Sequence, residues 1–264
     1  MENLDKFTKV MLRATNEAAK ILLSHFNTNF KISRKKFYND LVTEVDKKSE
    51  TKIIEIIHRS FPDHNILSEE AGNLNKDSEY VWIVDPLDGT VNYAHSVPIY
   101  SISIALEIKK KIQLGLIFNP VNGERFFAQK GKGAYLNTKK IRISDTKYLK
   151  DALLVTGFPY GAVNNPDHAL DHFNNFLRHG VPVRRLGSAA LDICFVACGR
   201  FDGFWEVSLN PWDVAAGYLI LKEAGGKVTN FKGENFSVYS KQLLATNGKI
   251  HQEMMDVLAL AYKE

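Results

Sequence analysis

Asp85 and Asp88, three residues apart at the end of an apolar run, are the first place in this 264-residue chain where chemistry looks built. Residues 81–84 read as a short buried strand, which Pro86 should stop. Leu87 lies between the two acids, and Gly89 and Thr90 follow. Two carboxylates this close raise each other's pKa unless positive charge separates them. A divalent cation removes the conflict, and hard oxygen ligands from Asp85 and Asp88, with the Leu87 carbonyl, suit Mg²⁺ or Mn²⁺. Gly89 lets backbone approach a ligand closely. The N–H groups of Gly89 and Thr90, if they open a helix, make an anion site beside the ion. The plainer alternative is an aspartate-rich turn in which the acids only cap.

Three more acidic clusters stand at expected element ends. Asp40 and Asp46 flank the entry to a second helix, where Asp40 is a candidate cap. Glu69 and Glu70 follow the apolar pair Ile66-Leu67. Asp213 opens a helix whose Ala215, Ala216 and Gly217 permit close approach. Each cluster alone reads as a cap or a surface feature. Four of them at element ends point to a site, because that is where sites are built.

The elements that must position these groups fall into two halves. In residues 1–150, a first amphipathic helix is carried by Phe7, Val10, Met11, Ala14, Ala18, Ile21, Leu22 and Phe26. A basic stretch at 31–39 reads as a loop or hairpin, and a second helix starts near Thr43. Strands follow at 80–85, 100–108, 113–118 and 124–129. The alternation from Ser101 to Leu106 suits a strand with one buried face. This half is α+β with a largely antiparallel sheet. In residues 151–264 strands alternate with helices, which indicates helices layered over a mixed sheet. Its strands are expected at 153–156, 183–186, 204–207, 227–230 and 242–246. Its helices are expected at 166–179, 188–198, 212–224 and from about 250. No linker separates the halves, so one compact unit is expected.

Composition excludes several classes. A net charge of +4 is modest, and the lysines at 109–111 and 139–140 read as solvated turns rather than a nucleic-acid surface. No apolar run approaches the ~18 residues of a membrane span. The first residues show no secretory pattern. Of the two cysteines, Cys194 and Cys198, both read as structural thiols on one helix face. A reduced, cytoplasmic protein is expected.

Residues 85–93 and 212–217 resemble the two signatures of the inositol monophosphatase family. The acidic groups at 40–46 and Glu69-Glu70 match its other elements in order and spacing, and the resemblance covers essentially the whole chain. It implies the five-layer αβαβα sandwich shared with fructose-1,6-bisphosphatase, and an Mg²⁺-dependent, lithium-sensitive, homodimeric phosphatase of small phosphorylated polyols or sugars, inositol 1-phosphate foremost. Two or three Mg²⁺ ions are implied, with Mn²⁺ as a substitute. The first would be held by Glu69, Asp85 and the Leu87 carbonyl, and the second by Asp85, Asp88 and Asp213. Glu69 would reach a third through water. Asp46 and Thr90, with Glu69, would form the catalytic set around the attacking water, and Gly89 and Thr90 would hold phosphate. Glu206 would bind a substrate hydroxyl, with Gly187, Ser188 and Ala189 lining the polyol pocket. Lys35 corresponds to a loop lysine near the ions, while His95 reads as structural.

Such a site is consistent with general chemistry, since phosphate-monoester hydrolysis has a very high barrier that charge neutralisation and positioning must lower. Other members of the fold act on fructose 1,6-bisphosphate, adenosine 3′,5′-bisphosphate or histidinol phosphate. A bisphosphate would need cations, for which Arg184, Arg185 and Arg200 are candidates against roles in packing or a dimer interface. A regulatory binding protein of the same fold is the alternative from a different class.

Overall fold

The computed structural model describes residues 4–74 and 77–262. Helix α1 (Asp5–His25) buries Val10, Met11, Ala14, Ala18 and Leu22 along one stripe at helical spacing. The basic stretch after it folds as a hairpin of β1 (Ile32–Arg34) and β2 (Leu41–Thr43), with β1 exposed throughout. Helix α2 (Glu44–Ser60) is capped by Thr43 and not by Asp40. Thr43 Oγ1 accepts from the amides of Val45 at 3.1 Å and Asp46 at 3.3 Å, and the Thr43 amide donates back to Asp46 at 2.9 Å. Such a reciprocal box satisfies donors that a helix start leaves open. Asp40 stays in the hairpin, where its carbonyl accepts the Lys35 amide at 2.8 Å.

The large sheet contains β3 (Asn65–Ser68), β4 (Gly72–Asn73), β5 (Tyr80–Asp88), β6 (Ser101–Ile108), β7 (Lys111–Asn119), β8 (Glu124–Gln129), β9 (Ala134–Leu136) and β10 (Lys139–Lys140). Their order is β10-β9-β8-β7-β6-β5-β3-β4. Among the described residues, β3 and β5 form its one parallel pair. A five-residue helix, α3 (Thr90–Ala94), leaves the end of β5. Two expectations fail here. Strand β5 does not stop at Pro86 but runs on to Asp88 through an irregularity: Asp85 pairs with Ser103 and Asp88 with Ser101. A bulge tolerates a proline because its missing N–H is not needed in the ladder. Strand β6 is buried along its whole length, not on one face. Its small Ser101, Ser103 and Ala105 face a covering helix, and Ser103 Oγ donates to the Trp212 carbonyl at 3.2 Å.

The second half supplies β11 (Leu154–Thr156), α4 (Ala169–Arg178), β12 (Val183–Arg184), α5 (Ala189–Ala197), β13 (Gly203–Val207), α6 (Pro211–Glu223), β14 (Lys227–Thr229), β15 (Gln242–Thr246) and α7 (His251–Ala259). Helix α4 begins later than expected, because Asn165, Asp167 and His168 take positive φ in the turn around Pro166. The sheet order is β12-β11-β13-β15-β14, with β12, β11 and β13 parallel and β15 antiparallel to both its neighbours.

Three apolar clusters define the layers. Helices α1 and α2 cover one face of the large sheet. Helices α5 and α6 fill the space between the two sheets, and α4 and α7 cover the outer face of the small sheet. The result is a five-layer αβαβα sandwich, an α+β fold. Being sandwiched explains why α5 and α6 are apolar nearly all round. Cys194 is buried in this middle layer and Cys198 half-buried at the end of α5, both as free thiols. Among the described residues no helix is long and apolar enough to cross a membrane.

The small residues of α6 are the spacers of the middle layer. An added Cβ at Gly115 of β7 would stand 2.7 Å from the Ala216 carbonyl oxygen. Gly115→Ala is therefore expected to cost about 1–3 kcal/mol, read as a Tm lower by roughly 2–10 °C. A Tm equal to that of the parent would mean that sheet and helix separate there without penalty.

Candidate active site

A cleft of about 430 Å³ opens where the two sheets and α6 meet, and Glu69, Asp85, Leu87, Asp88, Thr90 and Asp213 all line it. They arrive from the turn after β3, from β5, from α3 and from α6. Asp85 and Asp88 flank the bulge of β5, and the Asp85 carboxylate accepts the Leu87 amide at 3.0 Å, which curls the backbone between them. Ser49 of α2 holds the same turn by donating to the Pro86 carbonyl at 3.0 Å. Asp88 then reaches across to the second half. Its Oδ2 accepts from Ser188 Oγ, from the Ala190 amide at 3.1 Å and from Ser101 Oγ at 3.4 Å.

Glu69 and Glu70 stand just past β3 because a carboxylate that sequence reading missed grips their turn. Glu50 of α2 is buried, and one of its oxygens accepts from Ser68 Oγ and from the amides of Glu70 and Ala71, both at 3.0 Å. Lys35, on the hairpin, binds Glu69 at 2.8 Å and also Glu70. Asp213 stands in the first turn of α6, where its Oδ2 accepts the Asn210 amide at 2.7 Å.

Asp46 carries two roles at once. One oxygen closes the cap of α2, and the other lies 2.9 Å from Thr90 Oγ1, whose hydroxyl is also 3.0 Å from the Leu87 carbonyl. Gly89, ahead of Thr90, sits at φ 89°, and a Cβ there would lie 2.9 Å from the Ile99 carbonyl oxygen. Only glycine is at ease with both constraints. Asn92 secures the region by donating to the carbonyls of Ile99 at 2.7 Å and Leu186 at 2.8 Å. That second bond places Gly187, Ser188 and Ala189 on the cleft wall with Glu206 of β13. His95 lies outside the cleft, exposed at the end of α3.

The electrostatics are those of crowded acids. Burial, then the charges of Glu69, Asp88 and Asp213, hold Asp85 well above the usual carboxylate range. Burial likewise lifts Asp88 to about 6, and burial with neighbouring acids lifts Asp213 and Glu206 to about 8. The Glu69 and Asp85 carboxyls lie within hydrogen-bonding reach of each other. The lining is all oxygen at this end, the chemistry of a hard divalent cation, and shared positive charge is what relieves such a pair. Among the described residues, no three acidic, histidine or cysteine side chains already close around a point as a finished metal cage. Lys35, paired with Glu69 and Glu70, supplies counter-charge at this end.

Of the arginines proposed for a second phosphate, one reaches the cleft. Arg185 lines it. Arg184 is exposed on β12, with Nη1 3.2 Å from the Val183 carbonyl. Arg200 is paired to Glu124 at 3.0 Å. Sequence reading missed Asp192 as well as Glu50. Asp192 lines the cleft one helical turn beyond Ser188, a spacing that held the signal.

Comparison with known proteins agrees with the geometry. Residues 3–262 match the inositol monophosphatase family. An inositol-1-monophosphatase of Synechocystis is 43% identical over 258 residues, covering 97% of this chain and 90% of the relative. The Nus factor SuhB of Pasteurella multocida is 38% identical over 255 residues, covering 96% of each. The solved inositol monophosphatase of Anabaena superposes with a TM-score of 0.87 at 42% identity, covering 98% of this chain and 97% of that one. With a family match from end to end, relatives above 30% identity and the fold to go with them, the chain belongs to the inositol monophosphatase family and is a phosphatase.

Proposed function

We propose that this phosphatase hydrolyses monophosphate esters of small polyols, inositol 1-phosphate foremost, with Mg²⁺ held by Glu69, Asp85, the Leu87 carbonyl, Asp88 and Asp213. The observation that carries this reading is the convergence of four elements on one cleft: acidic groups from β3, β5 and α6 beside the Asp46–Thr90 pair, with Glu206 of β13 on the same wall. When bound, Mg²⁺ supplies positive charge to the phosphoryl oxygens and to the departing alkoxide.

The chain's own groups do the rest. Asp46 draws the Thr90 hydroxyl proton toward itself at 2.9 Å, so that Thr90 Oγ1 offers its lone pairs to a water in the cleft. That hydrogen bond aims the water oxygen at phosphorus, and Asp46 is the base behind it. The amides of Gly89 and Thr90 hold the phosphate. Glu206, lifted to about 8, both donates to and accepts from a substrate hydroxyl. The position of Arg185 as the one basic side chain among the described lining residues favours a monophosphate over a bisphosphate. The 43% identity to the Synechocystis inositol-1-monophosphatase supports inositol as the alcohol. The 38% identity to the Pasteurella Nus factor SuhB supports a second reading, a regulatory binding role on the same fold.

The deciding experiment is phosphate release from inositol 1-phosphate, fructose 1,6-bisphosphate, adenosine 3′,5′-bisphosphate and histidinol phosphate, with Mg²⁺ and with EDTA. Mg²⁺-dependent preference for the inositol ester is expected. Preference for a bisphosphate sinks the substrate reading, and no turnover on any ester leaves the regulatory one. Asp88→Asn is expected to lower turnover by at least about a hundredfold; retained activity would remove Asp88 from the ion site. Mg²⁺ at a hundred times its Kd is expected to stabilise the parent by about 2.7 kcal/mol, seen as a raised Tm. Asp213→Asn should abolish most of that rise, and an equal rise in the variant would place the ion elsewhere.

A further inference from the structure

Glu206 does not stand alone on the alcohol side of the cleft. Asp192 of α5 and Arg185, just past β12, line the same cavity, and the three groups are close enough to act on one another's charge. Glu206 is 9% exposed, and backbone at Gly157 lies directly over it, so that a Cβ there would overlap the carboxyl. Asp192 follows Ser188 by one turn of α5. Ser188 is bonded to Asp88, so this helix face is turned toward the cleft.

Asp192 is 1% exposed, and its Oδ1 is buried with no hydrogen-bond partner among the described residues. A buried carboxyl oxygen left bare is costly, and native structures seldom tolerate one without a use. Packing does not demand an acid here, since the neighbours along α5 are Leu191, Ile193 and Cys194, all in the apolar middle layer. The oxygen belongs to a residue that lines the cavity, beside the group that receives a substrate hydroxyl.

We infer that Asp192 is a specificity-determining residue, whose carboxyl takes a second ring hydroxyl next to the one taken by Glu206. The cleft thereby selects monophosphate esters of polyols with neighbouring hydroxyls. This deepens the function proposed above and rests on it. Two carboxyls and one guanidinium line this wall, near enough to act on one another's charge. Hydroxyl groups can donate to both acids, whereas a second phosphate would meet two groups that repel or cannot serve it. Arg185 is then a partner that balances the two acids, not the receiver of a phosphate. Burial and the nearby Glu206 push the Asp192 carboxyl up, and Arg185 opposes this.

The test compares inositol 1-phosphate with p-nitrophenyl phosphate, which has no alcohol hydroxyls, on the Mg²⁺-loaded parent, Asp192→Leu and Asp192→Asn. In Asp192→Leu the ratio of kcat/KM for the two esters is expected to fall about ten- to a hundredfold, chiefly through KM for the inositol ester. Asp192→Asn, which keeps an acceptor and a donor, should recover most of that ratio. Equal loss on both esters, or an unchanged ratio, overturns the role. Should the leucine variant not fold, the parent decides with ring-deoxy inositol phosphates. Removal of either of two adjacent hydroxyls is expected to lower kcat/KM about tenfold, and sensitivity to one hydroxyl alone overturns the inference. A parent that hydrolyses the aryl ester and not inositol 1-phosphate overturns the function proposed above. A parent that prefers the inositol ester, and keeps that preference in Asp192→Leu, overturns only the part assigned to Asp192.

Discussion

Like charges brought together out of water repel one another, and this molecule gathers Glu69, Asp85, Asp88 and Asp213 into one cleft. Their closeness has to be enforced from behind. Each acid has a donor that fixes it: the Leu87 amide for Asp85, Ser188 and the Ala190 amide for Asp88, the Asn210 amide for Asp213 and Lys35 for Glu69. Beneath these, Glu50 clamps the turn after β3, and Ser49 clamps the turn at Pro86. Helix α2 therefore braces two of the acidic turns from the side away from the cleft, while its own cap contributes Asp46. The burial of α1 and α2 against the large sheet is what holds that brace steady.

Much of the candidate site was legible because it is local. The run from Asp85 to Thr90 places acid, carbonyl, acid, glycine and hydroxyl within one bulge and one turn, so that types and spacing suffice. Ala215, Ala216 and Gly217 read correctly as close-approach residues, since a stripe of small side chains on a helix has few other uses. Helical periodicity in the first half and alternation in the second placed most elements, while the five-layer order came with the family resemblance.

What escaped was decided across distance. Pro86 looks like a strand end by its missing N–H, yet the ladder to β6 resumes beyond it because the bulge absorbs the mismatch. Strand β6 alternates serine with apolar residues as if half wet, but α6 covers the small face. Glu50 looks like one more charge on an amphipathic helix until the turn after β3 folds onto it. Arg200 looked available for phosphate until Glu124, 76 residues away, claimed it. Asp40 lost the cap to Thr43 because the hairpin needed its backbone first.

The bond from Ser188 Oγ to Asp88 joins residues 100 positions apart, and that of the Ala190 amide spans 102. Time along the growing chain thus enters the architecture. Asp46, Glu69, Asp85 and Asp88 are all synthesised before Ser188 and the Ala190 amide, the donors that fix Asp88 from the second half, exist. Lys35 and the Leu87 amide serve Glu69 and Asp85 from within the first half, while Asp88 waits for the start of α5, and Asp213 arrives only with α6. The lining of the cleft is therefore complete only when the chain has reached α6. Its closure reports that both halves have arrived.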